Sequence, residues 1–392
     1  MKFDNHLRYA VQIIRAYIGD IPLHAWLKSF FRDNPQMGSS DRKQVSNLVY
    51  SFYRLGHTLR DISTEERIMT GLFLLSKTEN PFLQYHKPEW KEFFGESLDQ
   101  KIDRCRLSGI IPEIRQIFPW RDQISLGIDH ENFCRSFLIQ PDLFIRIRPG
   151  FEEQVRSKLS GHQIGFEELP GSALRLSNST PVDKILDLNR EAVIQDYSSQ
   201  RTGDFFSLLQ TANSKDDKAW DCCAASGGKS ILLHDHFPEM SITVSDMRES
   251  ILVNLKKRFL EAGIKQYKAF AADLTKPFAD LPELKIPFDL ILMDAPCSGS
   301  GTWSRNPEEL YFFKEQRIAL FRQVQEQIFS RVVTKLKPRG IFIYITCSVF
   351  QQENEGMVKF IGENSTLQLV RSTLIKGYDD KADTLFVAGF RA

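Results

Sequence analysis

Residues 219–230 read AWDCCAASGGKS, and this stretch decides the fold because an apolar segment passes directly into a glycine-rich turn. Its end is similar to the phosphate loop of nucleotide hydrolases, GxxxxGK[ST], whose backbone wraps around phosphate groups. The first glycine of such a loop would fall at Cys223, and a side chain there would obstruct the wrapping backbone. The stretch therefore favours a turn that holds a different ligand.

From about residue 217 the chain repeats one pattern, a short apolar run followed by a turn and a helical segment. That alternation predicts an α/β fold, with a mostly parallel sheet and helices on both of its faces. The expected helices are SILLHDHF, ESILVNLKKRFLEAG and FFKEQRIALFRQVQEQIFSRVVTKLKPRG. The expected strands are KAWDCC, SITVSD, YKAFAADL, FDLILMDAP and GIFIYITCS.

The amino-terminal part is predicted to be helical, since apolar residues recur there at intervals of three and four. In DRKQVSNLVYSFYRLG, we expect Asp41 to be the N-cap. Arg42, Lys43 and Arg54 are expected to lie outside the apolar stripe of this helix. The stripe consists of Val45, Leu48, Val49, Phe52 and Leu55.

The pattern of apolar residues changes near residue 141, where LFIRIRP alternates apolar and basic residues as a half-buried strand does. A short helix and a turn follow, and then the segment that leads into the glycine-rich turn. Three regions are therefore predicted. They are a helical region over 1–138, a small α+β region over 139–200 and the α/β domain over 201–392.

The composition excludes several classes of protein. The 51 basic and 50 acidic residues nearly cancel, so no overall field points to a polyanion. Residues 1–60 carry nine Lys or Arg against four Asp, which suits contact with nucleic acid or an acidic protein and equally suits a solvated helical surface. Six cysteines without paired spacing predict neither a disulfide scaffold nor a metal site.

No apolar run approaches the ~20 residues that cross a bilayer. The start, MKFDNHLRYA, lacks the apolar core of a signal peptide. We therefore expect a cytoplasmic protein with no membrane partner and no metal, and we expect a monomer.

Acidic residues are predicted at the ends of three successive strands, at Asp246, Asp273 and Asp294. Ligands of parallel α/β sheets bind beyond the carboxyl ends of the strands. Asp246 lies about 20 positions past the glycine-rich turn, where an acidic residue accepts hydrogen bonds from ribose hydroxyls. A single such residue often caps the next helix, which is the alternative for Asp246. Three together indicate a pocket for a nucleoside cofactor.

Two cysteines are predicted at the ends of neighbouring strands. Cys297 lies in DAPCSGSGT and Cys347 in TCS. Small and hydroxyl-bearing neighbours would keep both sulfur atoms accessible, and Lys229 would lower the pKa of a nearby thiol. A functional role is therefore favoured for these two. Isolated cysteines are more often inert core residues, as expected for Cys105, Cys134 and Cys222.

These motifs, DCCAASGGK, Asp246, Asp273, DAPCSGSGT and TCS…ENE, resemble in this order the Sun-type (NOP/Sun) family of RNA cytosine-5 methyltransferases. QDYSSQ at 195–200 is similar to the segment that precedes the cofactor loop in that family. The resemblance covers roughly residues 140–392. SSDRKQVSNLVYSFYRLG resembles the NusB-like helical RNA-binding domain joined to some members. The chain departs from the family at Ser226, where proline is usual, and at Thr-Leu-Phe 384–386, where Gly-Phe-Phe is usual.

The resemblance implies a Rossmann-like class I methyltransferase domain that makes 5-methylcytosine in RNA. It implies that Cys347 attacks cytosine C6, that Cys297 serves product release, and that Asp294 binds the base edge. Lys229 would orient the ring or tune the thiol. The NusB-like part points to small-subunit ribosomal RNA. The residues implied to bind S-adenosylmethionine are Cys223, Ala224, Ala225, Ser226, Gly227, Gly228, Lys229, Asp246, Asp273 and Asp294.

Three alternatives remain at this point. A P-loop-like nucleotide-binding protein is disfavoured by Cys223. A non-catalytic RNA-binding or ribosome-assembly protein with a relic pocket is possible, although every chemical residue is present. A DNA cytosine-5 methyltransferase would use the Pro-Cys cysteine alone, so the second cysteine, Cys347, disfavours it.

Overall fold

A computed structural model describes residues 2–209, 216–278 and 281–392. The chain forms two compact units that interleave along the sequence. The helical unit contains Met1–Asp122, Asp129–Gln140 and Thr302–Lys314, and the sheet unit contains Gln123–Ile128, Pro141–Gly301 and Glu315–Ala392. The three regions predicted from the sequence, 1–138, 139–200 and 201–392, stay a prediction.

The helical unit confirms the helical character predicted for the amino-terminal part. Its helices pack apolar faces against one another, with Val45, Leu48 and Val49 wholly buried. The helices are α1 Phe3–Ala16, α2 Leu23–Asp33, α3 Ser39–Arg54, α4 Thr64–Leu75, α5 Pro81–His86, α6 Leu98–Leu107, α7 His130–Ser136 and, from the later segment, α12 Pro307–Phe312.

The predicted cap of α3 is wrong by three residues, because the N-cap is Gly38. The helix begins at Ser39, so Asp41 lies in its first turn. Asp41 accepts a hydrogen bond from the backbone N–H of Gly38 at 3.3 Å and lies 2.7 Å from the Nε2 atom of His6. The carboxylate therefore holds the helix start from inside the helix, because the two serines before it are already helical.

Arg54 is buried, although it lies outside the apolar stripe as expected. Its side chain is 3% exposed. The guanidinium donates hydrogen bonds to the carbonyls of Phe137 and Ile139, at 2.9 and 3.3 Å, and to Oε1 of Gln140 at 2.6 Å. Arg54 is outside the apolar stripe, but the chain segment after α7 covers it. It serves the folding of this unit.

The sheet unit contains a small antiparallel sheet in the order β2-β3-β1-β4. Ile145, Val155, Leu159 and Leu174 form the core between this sheet and its helix. The elements are β1 Leu143–Ile147, α8 Glu152–Gly161, β2 Phe166–Leu169, β3 Ala173–Leu176, β4 Ala192–Ile194 and α9 Tyr197–Arg201.

The main sheet has seven strands in the order β10-β11-β9-β8-β5-β6-β7. The five strands predicted from the sequence are parallel, as expected. The last two were not predicted, and β11 pairs antiparallel with both β9 and β10. The strands are β5 Lys218–Asp221, β6 Ser241–Asp246, β7 Tyr267–Ala271, β8 Phe288–Asp294, β9 Leu336–Thr346, β10 Gln368–Lys376 and β11 Thr384–Arg391.

Two apolar clusters cover the two faces of this sheet, as the α/β prediction requires. The predicted long helix is shorter than expected, because Leu336 already belongs to β9. The remaining helices are α10 Gly228–His236, α11 Glu249–Glu261, α13 Arg317–Val332 and α14 Glu355–Glu363.

The strand order reverses at β5, whose neighbours are β6 on one side and β8 on the other. A crevice forms at such a switch point, beyond the carboxyl ends of the strands. The glycine-rich turn follows β5 directly. The sheet therefore brings that turn and the ends of β6, β8 and β9 to one edge.

Candidate active site

A cavity of about 790 Å³ lies at this edge of the sheet. Its walls combine polar groups from the strand ends with apolar side chains from α13. The lining residues are Cys222, Cys223, Ala225, Asp246, Met247, Arg248, Ala272, Asp273, Leu274, Thr275, Asp294, Ala295, Pro296, Cys297, Phe321, Val324, Ile328 and Cys347.

The turn after β5 is held in a left-handed conformation. Ala225 has φ 46° and Gly227 has φ 81°, and the N–H of Gly227 donates to the carbonyl of Ala224 at 2.8 Å. A Cβ at Gly227 would lie 2.9 Å from the ring of Phe259, so glycine is required there. This geometry brings α10 close to the sheet with its first N–H groups at the edge.

The hydroxyl of Ser226 accepts a hydrogen bond that the usual proline at this position could not accept. Nη1 of Arg258, on α11, donates to the Ser226 hydroxyl at 2.9 Å and to its carbonyl at 3.0 Å. Arg258 thus fixes the turn from outside. The rigidity that a proline ring would give is supplied here by a side-chain contact.

Asp246 ties the turn to the end of β6. Its side chain is almost fully buried, and Oδ2 accepts a hydrogen bond from the N–H of Ala225 at 3.1 Å. Oδ1 accepts from the N–H and the Nε of Arg248, at 3.0 and 3.1 Å. The carboxylate lines the cavity and also orders the backbone just before α11. The N-cap of α11 is Arg248, so Asp246 is not the cap of this helix, and its contact with a cofactor stays a prediction.

Asp273 lies two residues beyond the end of β7, not at its last position as predicted. Oδ1 accepts from the N–H and the hydroxyl of Thr275, at 3.0 and 2.6 Å. These hydrogen bonds lower the pKa of Asp273, so the carboxyl is charged at neutral pH. Asp273 lines the same cavity as Asp246.

Lys229 and Asp294 form an ion pair, with 2.7 Å between Nζ and Oδ2. Lys229 is the second residue of α10, and Asp294 ends β8. Burial alone would lower the pKa of Lys229, but the charge and hydrogen bond of Asp294 outweigh burial and raise it. The ammonium group therefore stays charged, although Lys229 is absent from the lining of the cavity.

Asp221, at the end of β5, belongs to the same polar region but was not predicted as a site residue. It accepts a hydrogen bond from the Ser230 hydroxyl at 2.6 Å. Burial raises the pKa of Asp221 to about 7. It lies beneath the turn and is absent from the lining of the cavity.

The two predicted cysteines come together, with their sulfur atoms 3.4 Å apart. Cys347 follows β9 directly, and Cys297 lies three residues beyond β8. Hydrogen bonding to Cys347 and burial raise the pKa of the Cys297 thiol.

Gly301 packs closely against the backbone that carries Cys347. Its N–H donates to the carbonyl of Cys347 at 2.8 Å, and a Cβ at Gly301 would lie 1.9 Å from the Thr384 carbonyl. Only glycine permits this close approach.

Cys105, Cys134 and Cys222 are buried, as expected for core residues. Burial raises the pKa of the Cys105 and Cys134 thiols to about 12. These thiols are therefore poor nucleophiles. Only Cys223, Cys297 and Cys347 are partly exposed among the six.

The layer beneath the cysteines was not predicted from the sequence. Glu353 is wholly buried and accepts hydrogen bonds from Ser298, which follows Cys297, and from Ser348, which follows Cys347. The ENE segment, which carries Glu353, is the signal in the sequence that could have indicated this layer. Phe321 and Val324, on α13, were not predicted as site residues, but they line the cavity.

Residues 208–383 match the model of a family described as 16S rRNA methyltransferase RsmB/F. The matched stretch contains the glycine-rich turn and both cysteines. The predicted resemblance to Sun-type proteins is thereby confirmed.

Relatives named ribosomal RNA small subunit methyltransferase B align with the chain over different lengths. The Pasteurella multocida protein is 27% identical over 253 residues, which are 62% of this chain and 53% of that protein. The Enterobacter protein is 24% identical over 369 residues, 90% of this chain and 81% of its own. A Salmonella paratyphi B protein is 33% identical over 192 residues, 48% and 42% of the two chains. Two of these alignments thus span about half of the relative's length.

Solved structures share the fold over most of the chain. PH0851 has a TM-score of 0.68 with 18% identity, covering 99% of this chain and 98% of its own. NSun6 from Pyrococcus horikoshii, solved with the S-adenosylmethionine analogue SFG, has a TM-score of 0.58 with 16% identity over 71% of this chain and 97% of its own. At these identities the likeness shows the fold alone.

Proposed function

We propose that the chain is an S-adenosylmethionine-dependent RNA methyltransferase that forms 5-methylcytosine, with small-subunit ribosomal RNA as its substrate. The observation that carries the proposal is the pair of sulfur atoms of Cys297 and Cys347, 3.4 Å apart at the edge of a nucleoside-sized cavity. Cytosine C5 is a weak nucleophile, and a thiolate that adds to C6 makes C5 reactive. The match of residues 208–383 to the 16S rRNA methyltransferase RsmB/F model supports the substrate.

The cavity suits S-adenosylmethionine in its volume and in the polarity of its lining. Asp246 and Asp273 offer carboxylate oxygens to the ribose and the adenine amino group, and the turn after β5 offers backbone N–H groups. Phe321, Val324 and Ile328 supply an apolar wall. When bound, the cofactor supplies an electrophilic methyl group.

The residues of the chain divide the remaining work. Cys347 as thiolate forms a bond to C6, and the electron pair of the C5–C6 double bond becomes available at C5. Asp294, fixed by Lys229, receives the base edge and stabilises the protonated ring of the adduct. After methyl transfer, a base removes the C5 proton and the C6–sulfur bond breaks, with Cys297 serving release. A sulfur 3.4 Å from Cys347 lies near these bonds.

The target cytosine must leave any helical stack to reach the sulfur of Cys347. Unstacking costs least in loops and in partly assembled RNA, which are the expected substrates.

Over the described ranges, no helix is long and apolar enough to cross a membrane, and no cluster of His, Cys, Asp or Glu could hold a metal. A cytoplasmic monomer is part of the proposal.

The two alternatives, a non-catalytic protein with a relic pocket and a nucleotide hydrolase, each leave some of these contacts unexplained. In a phosphate loop the lysine reaches phosphate groups. Here Lys229 is paired with Asp294 and lies beside the cysteines. An RNA-binding protein without catalysis would not require two sulfur atoms at one position. We therefore place methyl transfer first among these candidates.

Asp246→Ala should weaken S-adenosylmethionine binding ten- to hundredfold. The variant loses charge-assisted hydrogen bonds, on the order of 1.5–3 kcal/mol, and it also releases the backbone N–H of Ala225. Isothermal titration calorimetry measures the cofactor affinity, and a filter-binding assay measures the RNA affinity, which should hold. Asp183→Ala, at an exposed position, is the control. An unchanged cofactor affinity would remove Asp246 from the pocket.

Arg42 and Lys43 are proposed to bind RNA phosphates, whereas Arg54 is excluded by its burial. Replacing both by Gln should reduce the slope of log affinity against log salt by about 0.7–0.9 for each phosphate that is no longer neutralised. Cofactor affinity should stay unchanged. Replacing Lys256 and Lys257, both exposed on α11, by Gln is the control. If the Arg42/Lys43 double variant had the same salt slope as the Lys256/Lys257 control, a protein-binding or bracing role for the helical unit would be favoured.

A further inference from the structure

Glu353 is a carboxylate buried beneath the two cysteine turns. It lies in the segment between β9 and α14, and its side chain is wholly buried. Oε2 accepts a hydrogen bond from the N–H of Ser298 at 2.8 Å, and Oε1 accepts from the hydroxyl of Ser348 at 2.9 Å. Ser298 follows Cys297 in sequence, and Ser348 follows Cys347. One side chain therefore joins the two turns that carry the sulfur atoms.

A third partner reaches Glu353 from α13. Nε2 of Gln325 donates to Oε2 at 3.2 Å and also to the carbonyl of Pro296 at 2.9 Å. The backbone N–H of Ser298 and the amide nitrogen of Gln325 can only donate, so both contacts require an acceptor at Oε2. The Ser298, Ser300 and Ser348 hydroxyls extend the network at 3.1 to 3.3 Å from one another.

The surroundings of Glu353 make it an expensive group to bury. Burial raises the pKa of the carboxyl, and three donated hydrogen bonds partly offset that effect. The negative charge of Glu353 also contributes to the raised pKa of the Cys297 thiol, after the hydrogen bond to Cys347 and burial. A buried acidic group is costly unless it is hydrogen-bonded. Simple packing would be served by an apolar residue of similar size.

We propose that Glu353 is a positioning residue that sets the distance between the sulfur atoms of Cys297 and Cys347 by holding the turn after each. This inference rests on the proposed function for its catalytic meaning, but the geometry is independent of it. Reacting groups displaced by about 1 Å can lose a hundredfold in rate. The sulfur of Cys347 must reach C6 while Cys297 stays beside it, and loop turns alone are less precise than turns fixed by a shared partner.

Asn354 supports the same segment from the other side. Its Oδ1 accepts from the Thr346 hydroxyl at 2.5 Å, and its Nδ2 donates to the Ser348 carbonyl at 2.8 Å. The hydroxyl of Tyr344 donates to the carbonyl of Glu353 at 2.8 Å. The backbone that carries Glu353 is therefore anchored separately from its carboxylate, and changing the carboxylate alone should leave the segment in place.

The test uses phenylarsine oxide, which condenses with two neighbouring thiols to form two arsenic–sulfur bonds and releases one water. Capture requires both sulfur atoms at short distance, and protection of Cys297 and Cys347 from iodoacetamide reports it by peptide mass spectrometry. Glu353→Leu removes both acceptor oxygens, so the N–H of Ser298 and the amide nitrogen of Gln325 lose their shared acceptor. We expect it to weaken capture about tenfold or more and to lower kcat about 10- to 100-fold. KM for cofactor and RNA should change less than about twofold.

Glu353→Asp keeps the charge but not the reach, and it should recover only part of both losses. Glu363→Leu, at an exposed position of α14, is the matched control. If Glu353→Leu does not fold, Ser348→Ala and Gln325→Ala each remove a single partner and are measured instead. Wild-type capture together with wild-type kcat in these variants would overturn the proposal. Weakened capture in a protein that never methylates RNA would support the positioning role and refute the proposed function.

Discussion

Cys347→Ala should abolish both methylation and the covalent protein–RNA adduct. The variant lacks the thiolate that we propose to attack C6, and without that bond C5 does not become reactive. Loss of a nucleophile typically lowers kcat on the order of 10⁴-fold or more. Cys347 is partly exposed at the cavity, so its loss should leave the core intact. Single-turnover methylation measures the rate, and detergent gels of labelled RNA measure the adduct.

Cys297→Ala should give the opposite pattern for the adduct. Attack at C6 still occurs, but release fails, and a protein–RNA complex stable in detergent should accumulate. The double variant should form no adduct. If Cys347→Ala traps RNA and Cys297→Ala does not, the roles of the two sulfur atoms are reversed.

The Lys229–Asp294 pair should have the second largest effect. Lys229→Met leaves a partly buried carboxylate without its cation, and Asp294→Ala removes the group proposed to bind the base edge. Loss of a preorganised electrostatic group typically lowers kcat by about 10²–10³-fold. Since the two act as one unit, the double variant should be about as slow as the slower single variant. Multiplied single effects would show that they act independently.

The pH dependence of this ion pair follows from the direction of the pKa shift. The pKa of Lys229 is raised in the folded chain. Its stabilising contribution is therefore complete below the ordinary lysine pKa and is lost only as pH rises through the raised value. We therefore expect that deprotonation of Lys229 causes no fall in wild-type activity between pH 7 and about 9. A fall in this range that is present in the wild-type profile and absent in Lys229→Met would contradict the charged form of Lys229.

The sequence was most informative where local pattern and position in the fold coincide. Five parallel strands follow from short apolar runs between turns, and Asp246, Asp294 and Cys347 lie at or next to their ends. Parallel strands place their carboxyl ends at one edge, so residues far apart in sequence become neighbours. That rule is enough to bring the glycine-rich turn, the acidic residues and both cysteines to one cavity.

The features that the sequence did not predict depend on contacts between distant segments. Arg54 lies off an apolar stripe and would face solvent on an isolated helix, but residues 137–140 cover it. β10 and β11 pair antiparallel at the edge beyond β9, which no run of alternating strands and helices predicts. Glu353 lies in a polar segment, and its role depends on two turns that come together only in the folded sheet.

Mass spectrometry of methylated RNA tests the central claim most directly. Purified protein is incubated with small-subunit ribosomal RNA and S-adenosylmethionine that carries a labelled methyl group, and the RNA is digested to nucleosides. The account predicts labelled 5-methylcytosine that depends on Cys347 and is absent with Cys347→Ala. Bisulfite sequencing of the same RNA then locates the cytosine. Label in any other nucleoside, or equal label from Cys347→Ala, would contradict a mechanism through the Cys347 adduct.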